Sequence, residues 1–159
     1  MKNCLIRLIL AGICLIGGTL GAAPLVLAAG DVIPEITAAD QQGKAFSTTN
    51  GCQFLLIATE MNAAKAANAK LAEQGAGFLE KHQAAYLLDI HTMPGIARLF
   101  AFPKMRKDPE RIILVDTAKT LSVFPAQPGR VTVVALTPDR HIQKISFWDP
   151  VSEPVAGCF

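Results

Sequence analysis

Three short, continuous runs of mainly apolar residues constrain the fold of this chain more than any other sequence feature. They span Phe54 to Ala58, Ala84 to Ile90 and Arg111 to Val115, the last being apolar after its first residue. A strand with one solvated face alternates apolar and polar residues, whereas a strand covered on both faces does not. The sequence therefore predicts three strands buried on both faces.

Two helical patterns separate these runs. Asn62 to Gln74 is rich in alanine and stops at Gly75, as expected for a helix that ends at a glycine. Thr92 and Pro94 predict the N-cap and the first turn of a second helix, which continues to Phe100. Strands that alternate with helices favour right-handed crossovers and parallel pairing, and the predicted class is therefore α/β.

Antiparallel hairpins are predicted at both ends of this parallel centre. A short hairpin between Ile33 and Phe46 precedes the first buried run, and Val131 to Leu136 and Ile142 to Trp148 flank a proline-containing turn. Residues 149–159 contain two prolines and a glycine, which predicts an irregular tail. Because the sequence has no internal repeat and no linker interrupts the pattern, the rest of the chain is predicted to form one domain.

The N-terminus has the pattern of a secretory signal peptide. Lys2 and Arg7 flank the start of an apolar run that is followed by small residues. We assign residues 1–29 to the signal, with cleavage after Ala28 or Ala29, and the domain to residues 30–148. The protein is then periplasmic or secreted, with no stable membrane insertion after cleavage; an uncleaved anchor is the alternative.

Removal of the signal changes the charge argument. It takes away two basic residues and no acid, which leaves 13 basic and 13 acidic residues. A nucleic-acid partner requires a clustered basic excess, and none is predicted for a nearly neutral domain.

Two of the four cysteines, Cys4 and Cys14, lie in the signal, and Cys52 and Cys158 remain. Two thiols in an oxidising compartment can pair. The sequence leaves three interpretations open: a structural disulfide, two unpaired thiols, or a redox pair.

The residues Ala58 to Lys65, A-T-E-M-N-A-A-K, follow the first buried run directly. They resemble the active site of exported thioredoxin-like proteins, which commonly reads A-T-W-C-x-x-C-R between a central strand and a helix. The opening segments, G-D-V-I-P from Gly30 and D-Q-Q-G-K from Asp40, resemble the same proteins. The chain is also similar to a group of small periplasmic thioredoxin-fold proteins without the dithiol. This resemblance implies a central mixed sheet with flanking helices and an extra C-terminal hairpin.

The resemblance places Met61 and Ala64 where the two cysteines would stand. Thiol exchange needs a thiolate at the helix N-terminus and a second cysteine about one turn later, and these residues supply neither. The degenerate site, Glu60, Met61, Asn62 and Ala64, therefore implies a non-catalytic binding or folding-assistance module with a protein or peptide partner. The alternatives are a thiol-disulfide oxidoreductase that uses Cys52 and Cys158, and a flavin-associated oxidoreductase.

A candidate binding surface lies further along the chain. Apolar residues there lie beside a cluster of basic residues, and we predict that they form a groove together with the degenerate site. The candidate residues of this binding surface are Met93, Met105, Arg106, Lys107 and Pro109. The alternative is a helix core followed by a solvated loop. Thioredoxin-like proteins carry a cis-proline before their third strand, and Pro109 lies near that place, but it is predicted to be trans.

Other chemistries have little support in the sequence. His82, His91 and His141 have no partner at metal-ligand spacing, and no C-x-x-C is present. The glycines at Gly75 and Gly77 follow a helix rather than a strand and do not make a dinucleotide fingerprint. We predict no cofactor and no metal.

Overall fold

A computed structural model describes residues 26–159, so that most of the predicted signal peptide, with Cys4 and Cys14, lies outside the described residues. The strands are β1 (Thr37–Asp40), β2 (Ala45–Ser47), β3 (Phe54–Ala58), β4 (Ala84–Asp89), β5 (Ile112–Val115), β6 (Val131–Leu136) and β7 (Ile142–Trp148). The helices are α1 (Met61–Gln74), α2 (Phe78–Lys81) and α3 (Gly95–Met105), with a 3-10 helix at Val155–Cys158. None of the helices in this part of the chain is long and apolar enough to cross a bilayer.

The described strands form a single sheet in the order β2-β1-β5-β4-β3-β6-β7. β3, β4 and β5 are parallel, and β6 and β7 extend the sheet antiparallel beyond β3. The β1–β2 hairpin joins the other side through an antiparallel pair with β5. The predicted α/β class, with a parallel centre and antiparallel extensions, is confirmed.

Two apolar cores lie on the two faces of the sheet. Alternate residues of β3 enter different cores: Leu56 and Ala58 face the helices, whereas Leu55 and Ile57 face the opposite side, and all four are at most 1% exposed. We call these the helical core and the loop-covered core. The latter is closed by non-helical segments that contribute Leu27, Ile33, Ile36, Leu121 and Phe124. The continuous apolar pattern of β3 follows from burial on both faces.

The turn between β1 and β2 is held by the side chain of Asp40. Its Oδ1 accepts hydrogen bonds from the N–H groups of Gln42 and Lys44 at 3.0 and 2.8 Å, and its Oδ2 accepts one from Arg111 Nε at 2.8 Å. Burial alone would raise the pKa of Asp40, but these hydrogen bonds and the Arg111 charge hold the pKa below its ordinary value. Arg111 thereby ties the hairpin to the start of β5.

The helix α3 differs from its prediction at both ends. No side chain caps it, so Thr92 is not its N-cap, and it continues past Phe100 and through Pro103 to Met105. A proline inside a helix removes one hydrogen bond, here to the carbonyl of Leu99. Because Leu99 is 73% exposed, water can replace that bond.

The C-terminal tail packs on the helical core. Val155 is buried, and the ring of Phe159 lies 5.2 Å from that of Phe54 and 5.7 Å from that of Phe78, both in edge contact. The tail has one 3-10 helix, Val155–Cys158, and packs against Phe54 at the start of β3.

Residues on the N-terminal side of the predicted cleavage point contact the domain. Leu27 is only 8% exposed in the loop-covered core, and its N–H donates to the carbonyl of Val123 at 2.7 Å. Cleavage after Ala28 or Ala29 would remove both contacts. The next residues pair with β7, where the N–H of Gly30 donates to the carbonyl of Ile142 at 2.8 Å.

We predict that Leu27→Ala lowers the free energy of unfolding by about 1.5–3 kcal/mol, because it removes a buried leucine from the core. Urea denaturation of a protein that starts at Val26 measures this. Val26→Ala is the matched control, since Val26 is 48% exposed. Equal effects of the two substitutions would show that the domain does not depend on Leu27.

Candidate functional site

The degenerate site lies at the sheet edge where β3 ends and α1 begins. Only Thr59 and Glu60 separate the two elements, so the first turn of α1 stands directly above the carboxyl end of the central strand. Met61 is the first helical residue and is 46% exposed. In α/β proteins, this edge is where functional groups commonly gather.

A groove of about 520 Å³ runs between α1 and α3 and opens beside Met61. It brings together three methionines, Met61, Met93 and Met105, that are distant in sequence. Met93 and Met105 are 6% and 8% exposed and line its inner side. The remaining lining residues are Lys65, Asn68, Ala97, Phe100, Ala101, Lys104 and Asp108. Met93 and Met105, both named as candidates from the sequence, thus line the same groove as Met61 of the degenerate site.

Arg98 fixes the position of α3 against the sheet. Its guanidinium makes two hydrogen bonds of 2.6 Å with the carboxylate of Asp116, which follows β5, and also donates to the carbonyls of Ile90 and Met93 at 2.7 and 3.0 Å. The hydrogen bonds and the opposite charge raise the pKa of Arg98 and lower that of Asp116. The pair therefore stays ionised, and it holds one wall of the groove.

The outer face of α3 is apolar and exposed. Ile96, Leu99 and Phe100 are 70–73% exposed, and their i, i+3, i+4 spacing places them on one side of the helix. Phe100 also lines the groove, opposite Met61. Among the apolar residues of this segment, Met93 and Met105 are therefore buried, whereas these three are exposed.

Two polar side chains, those of Asn68 and Asp108, line both the groove and a small cavity beside it. The Oδ1 of Asn68 is buried and has no hydrogen-bond partner within the described structure. Asp108 lies nearby, and burial raises the pKa of its carboxyl. Since buried polar atoms are nearly always hydrogen-bonded, Asn68 is suited to accept a bond from a group that enters the groove.

The other residues of the degenerate site have different positions. The Oε2 of Glu60 accepts a hydrogen bond of 2.9 Å from the N–H of Gly129, which joins the site to the loop before β6. Ala64 is buried in the helical core, and its carbonyl lies 3.4 Å from the hydroxyl of Tyr86. Asn62 is exposed. Of the four residues, only Met61 lines the groove.

Arg106, Lys107 and Pro109 do not line the groove. The Nε of Arg106 donates to the carbonyl of Gln41 at 3.2 Å, so this side chain braces the β1–β2 turn. Lys107 is exposed one residue before Asp108. Pro109 lines a separate depression of about 470 Å³, together with Cys52.

Strand direction explains the position of Pro109. β3 and β5 run in the same direction, so the start of β5 and the end of β3 lie at opposite edges of the sheet. β6 runs antiparallel, with Thr132 opposite Ile57, and its start therefore lies beside the degenerate site. The segment that enters a strand there is Gly129 to Val131 and not Pro109. No cis peptide bond occurs between residues 26 and 159, as predicted for Pro109.

The two cysteines are separate and unpaired. Cys52 packs against the loop-covered core and Cys158 against the helical core, so the sheet lies between them. The predicted alternative of a Cys52–Cys158 disulfide is not formed in this structure. Burial raises the pKa of Cys52 to about 11 despite two backbone hydrogen bonds, and burial together with Glu153 raises the pKa of Cys158 to about 12.

The described residues were also compared with the requirements of a metal site. Among residues 26–159, no group of three or more His, Cys, Asp or Glu side chains could hold a metal ion. His91 Nδ1 lies 2.6 Å from Asp89 Oδ1, and His141 Nε2 lies 3.4 Å from Asp139 Oδ2. Each histidine is thus near one carboxylate, and both sites are at the surface.

Comparison with solved structures relates this arrangement to known folds. The chain is similar to the thioredoxin domain of a thiol-disulfide oxidoreductase from Bacteroides vulgatus, with a TM-score of 0.53 and 16% identity over 79% of this chain and 93% of that one. It is similar to a proposed protein disulfide isomerase from Bacteroides thetaiotaomicron, with a TM-score of 0.52 and 14% identity over 77% and 80%. A peroxiredoxin-like protein from Aquifex aeolicus gives a TM-score of 0.50 and 10% identity over 81% of each chain.

No protein-family model and no curated protein matches the chain. At these identities the structural similarity establishes the fold, which is thioredoxin-like. The resemblance stated from the sequence is confirmed at that level.

We predict that both thiols of the native protein are unreactive. At pH 8 the raised pKa values lower the thiolate fraction about 100-fold for Cys52 and about 1000-fold for Cys158, relative to an ordinary cysteine. Alkylation by iodoacetamide, followed by mass spectrometry, measures both rates, and the same protein in urea is the control. Native rates equal to those in urea, or a Cys52–Cys158 bridge after mild oxidation, would contradict the structure.

Proposed function

We propose that this chain is an exported thioredoxin-fold protein that binds segments of other polypeptides, without thiol chemistry, as a binding or folding-assistance module. The proposed site is the groove between α1 and α3 with the exposed face of α3. The periplasm is the proposed compartment, on the basis of the N-terminal sequence. One observation carries the proposal: a methionine-lined groove and an uncovered apolar helix face meet at the position where related folds carry a dithiol.

The lining of the groove suits a partner of variable sequence. Methionine is unbranched and polarisable, and it adapts its side chain to irregular apolar surfaces. Here Met61, Met93 and Met105 belong to different elements and meet along one groove. Such surfaces are typical of proteins that bind several partners.

The exposed face of α3 extends the same surface. Exposed apolar residues that occur singly need no explanation, but a contiguous group commonly marks a binding site. Ile96, Leu99 and Phe100 form such a group, and Phe100 connects it to Met61 across the groove.

The state of the cysteines favours binding over thiol exchange. A reactive thiol lies in an electropositive, accessible environment that lowers its pKa. Cys52 and Cys158 have raised pKa values and lie on opposite faces of the sheet. The oxidoreductase alternative therefore gains no support from these two residues.

We predict that Phe100→Ser and Met61→Ser each weaken binding of an unfolded polypeptide about 5- to 30-fold, because each removes an apolar contact. The probe is a fluorescent unfolded protein whose thiols are blocked with neutral carboxamidomethyl groups, and fluorescence anisotropy gives its Kd. Both side chains are exposed, so thermal unfolding should change little.

Val151→Ser is the matched control, since Val151 is an exposed apolar residue (77%) in the tail and outside the groove. It should leave the Kd unchanged. Absence of binding by the unmodified protein, or equal loss in all three variants, would rule out the groove as a polypeptide site.

A further inference from the structure

We propose that the partner of this site is an extended polypeptide segment in which acidic residues accompany apolar ones. This inference rests on the proposed function and names the chemistry of its partner. It follows from the charges around the groove and from the unpartnered Oδ1 of Asn68, which lines it.

Most of the charged side chains that border the groove are basic. Lys65 and Lys104 line it, Lys107 is exposed one turn beyond Lys104, and Asp108 is the sole acidic lining residue. None of the ion pairs found within residues 26–159 includes any of these lysines. Burial raises the pKa of Asp108, and even an ionised Asp108 would offset only one of these three lysines.

The excess of basic residues is confined to this border, because residues 26–159 as a whole contain 13 basic and 13 acidic residues. Apolar surface beside unpaired cations matches a segment that carries both apolar side chains and carboxylates. Charge complementarity of this kind selects partners and speeds association more than it adds affinity. A second copy of the chain is disfavoured, since a symmetric contact through this face would bring the same lysines together.

Asn68, which lines the groove, favours an extended segment over a helix or a lipid surface. The unpartnered Oδ1 of Asn68 is an acceptor and therefore requires a donor. An extended backbone presents free N–H groups, whereas a helix uses its own internally. A flat lipid surface could cover Ile96, Leu99 and Phe100, but the acyl chains that would meet this apolar face carry no N–H group for Asn68.

Two synthetic peptides of equal length test the charge preference. In both, Leu and Phe alternate with a charged residue, which is Glu in one peptide and Lys in the other. At low salt the Glu peptide should bind about tenfold more tightly, because it gains several exposed ion pairs, and the difference should shrink at high salt. The double variant Lys104→Glu/Lys107→Glu should reverse the preference, whereas Lys144→Glu, on β7, should leave it unchanged.

The substitution Asn68→Leu tests the inferred hydrogen bond to the side chain of Asn68 separately. It removes a buried polar atom without a partner, so the thermal midpoint should rise, whereas the affinity for the Glu peptide should fall several-fold. A purely structural role for Asn68 would not separate the two readouts in this way. Unchanged affinity would overturn the inferred contact with an extended backbone.

The outcomes separate this inference from the function on which it rests. If the unfolded probe binds but the two peptides bind equally, the acidic preference is wrong and the binding function stands. If neither the probe nor the peptides bind, both proposals fail. Binding to phosphatidylglycerol vesicles with loss of peptide binding would identify a membrane surface, and dimerisation that buries Phe100 would identify a second copy; either result overturns the inference.

Discussion

The pairing of β3 between β4 and β6, with a core on each face, is the interaction on which the rest of the structure depends. Leu55 and Ile57 enter the loop-covered core, while Leu56 and Ala58 enter the helical core, so this strand joins both halves of the interior. Each fully buried leucine or isoleucine of this kind contributes about 1.5–3 kcal/mol. Because α1 starts three residues after β3 ends, the same strand also sets the height of Met61 above the sheet edge.

The groove follows from that placement and from the attachment of α3. α1 packs on the sheet through its alanines and Leu71, and small side chains let it lie close. α3 is held at its first turn by the Arg98–Asp116 pair, while its outer face remains uncovered. Because α1 and α3 are attached to the sheet by different contacts, a groove remains between them, and the methionines line it. The first turn of α1 carries Met61 and Ala64 and no thiol, and Met61 borders the apolar surface of this groove.

The sequence predicted most of the fold because its strands carry unambiguous patterns. The bounds of β3, β6 and β7 agree with their predictions, since continuous or alternating apolar residues there are bounded by turn residues. The outer face of α3 was harder to predict. Its residues are apolar almost all round, so periodicity could not tell that Ala97 and Ala101 pack inward while Leu99 and Phe100 remain exposed. The role of Asn68 and the place of Pro109 depend on helix packing and strand direction, which no local pattern encodes.

If this surface binds polypeptide without using thiols, as we propose, binding survives the removal of both Cys52 and Cys158. The most direct measurement is amide chemical-shift mapping of the variant Cys52→Ala/Cys158→Ala during titration with the thiol-blocked unfolded protein. We expect saturable shifts in the first two turns of α1, around Met93 and along Gly95–Met105. Shifts confined to the surroundings of Cys52 and Cys158, or binding that disappears with the cysteines, would contradict it.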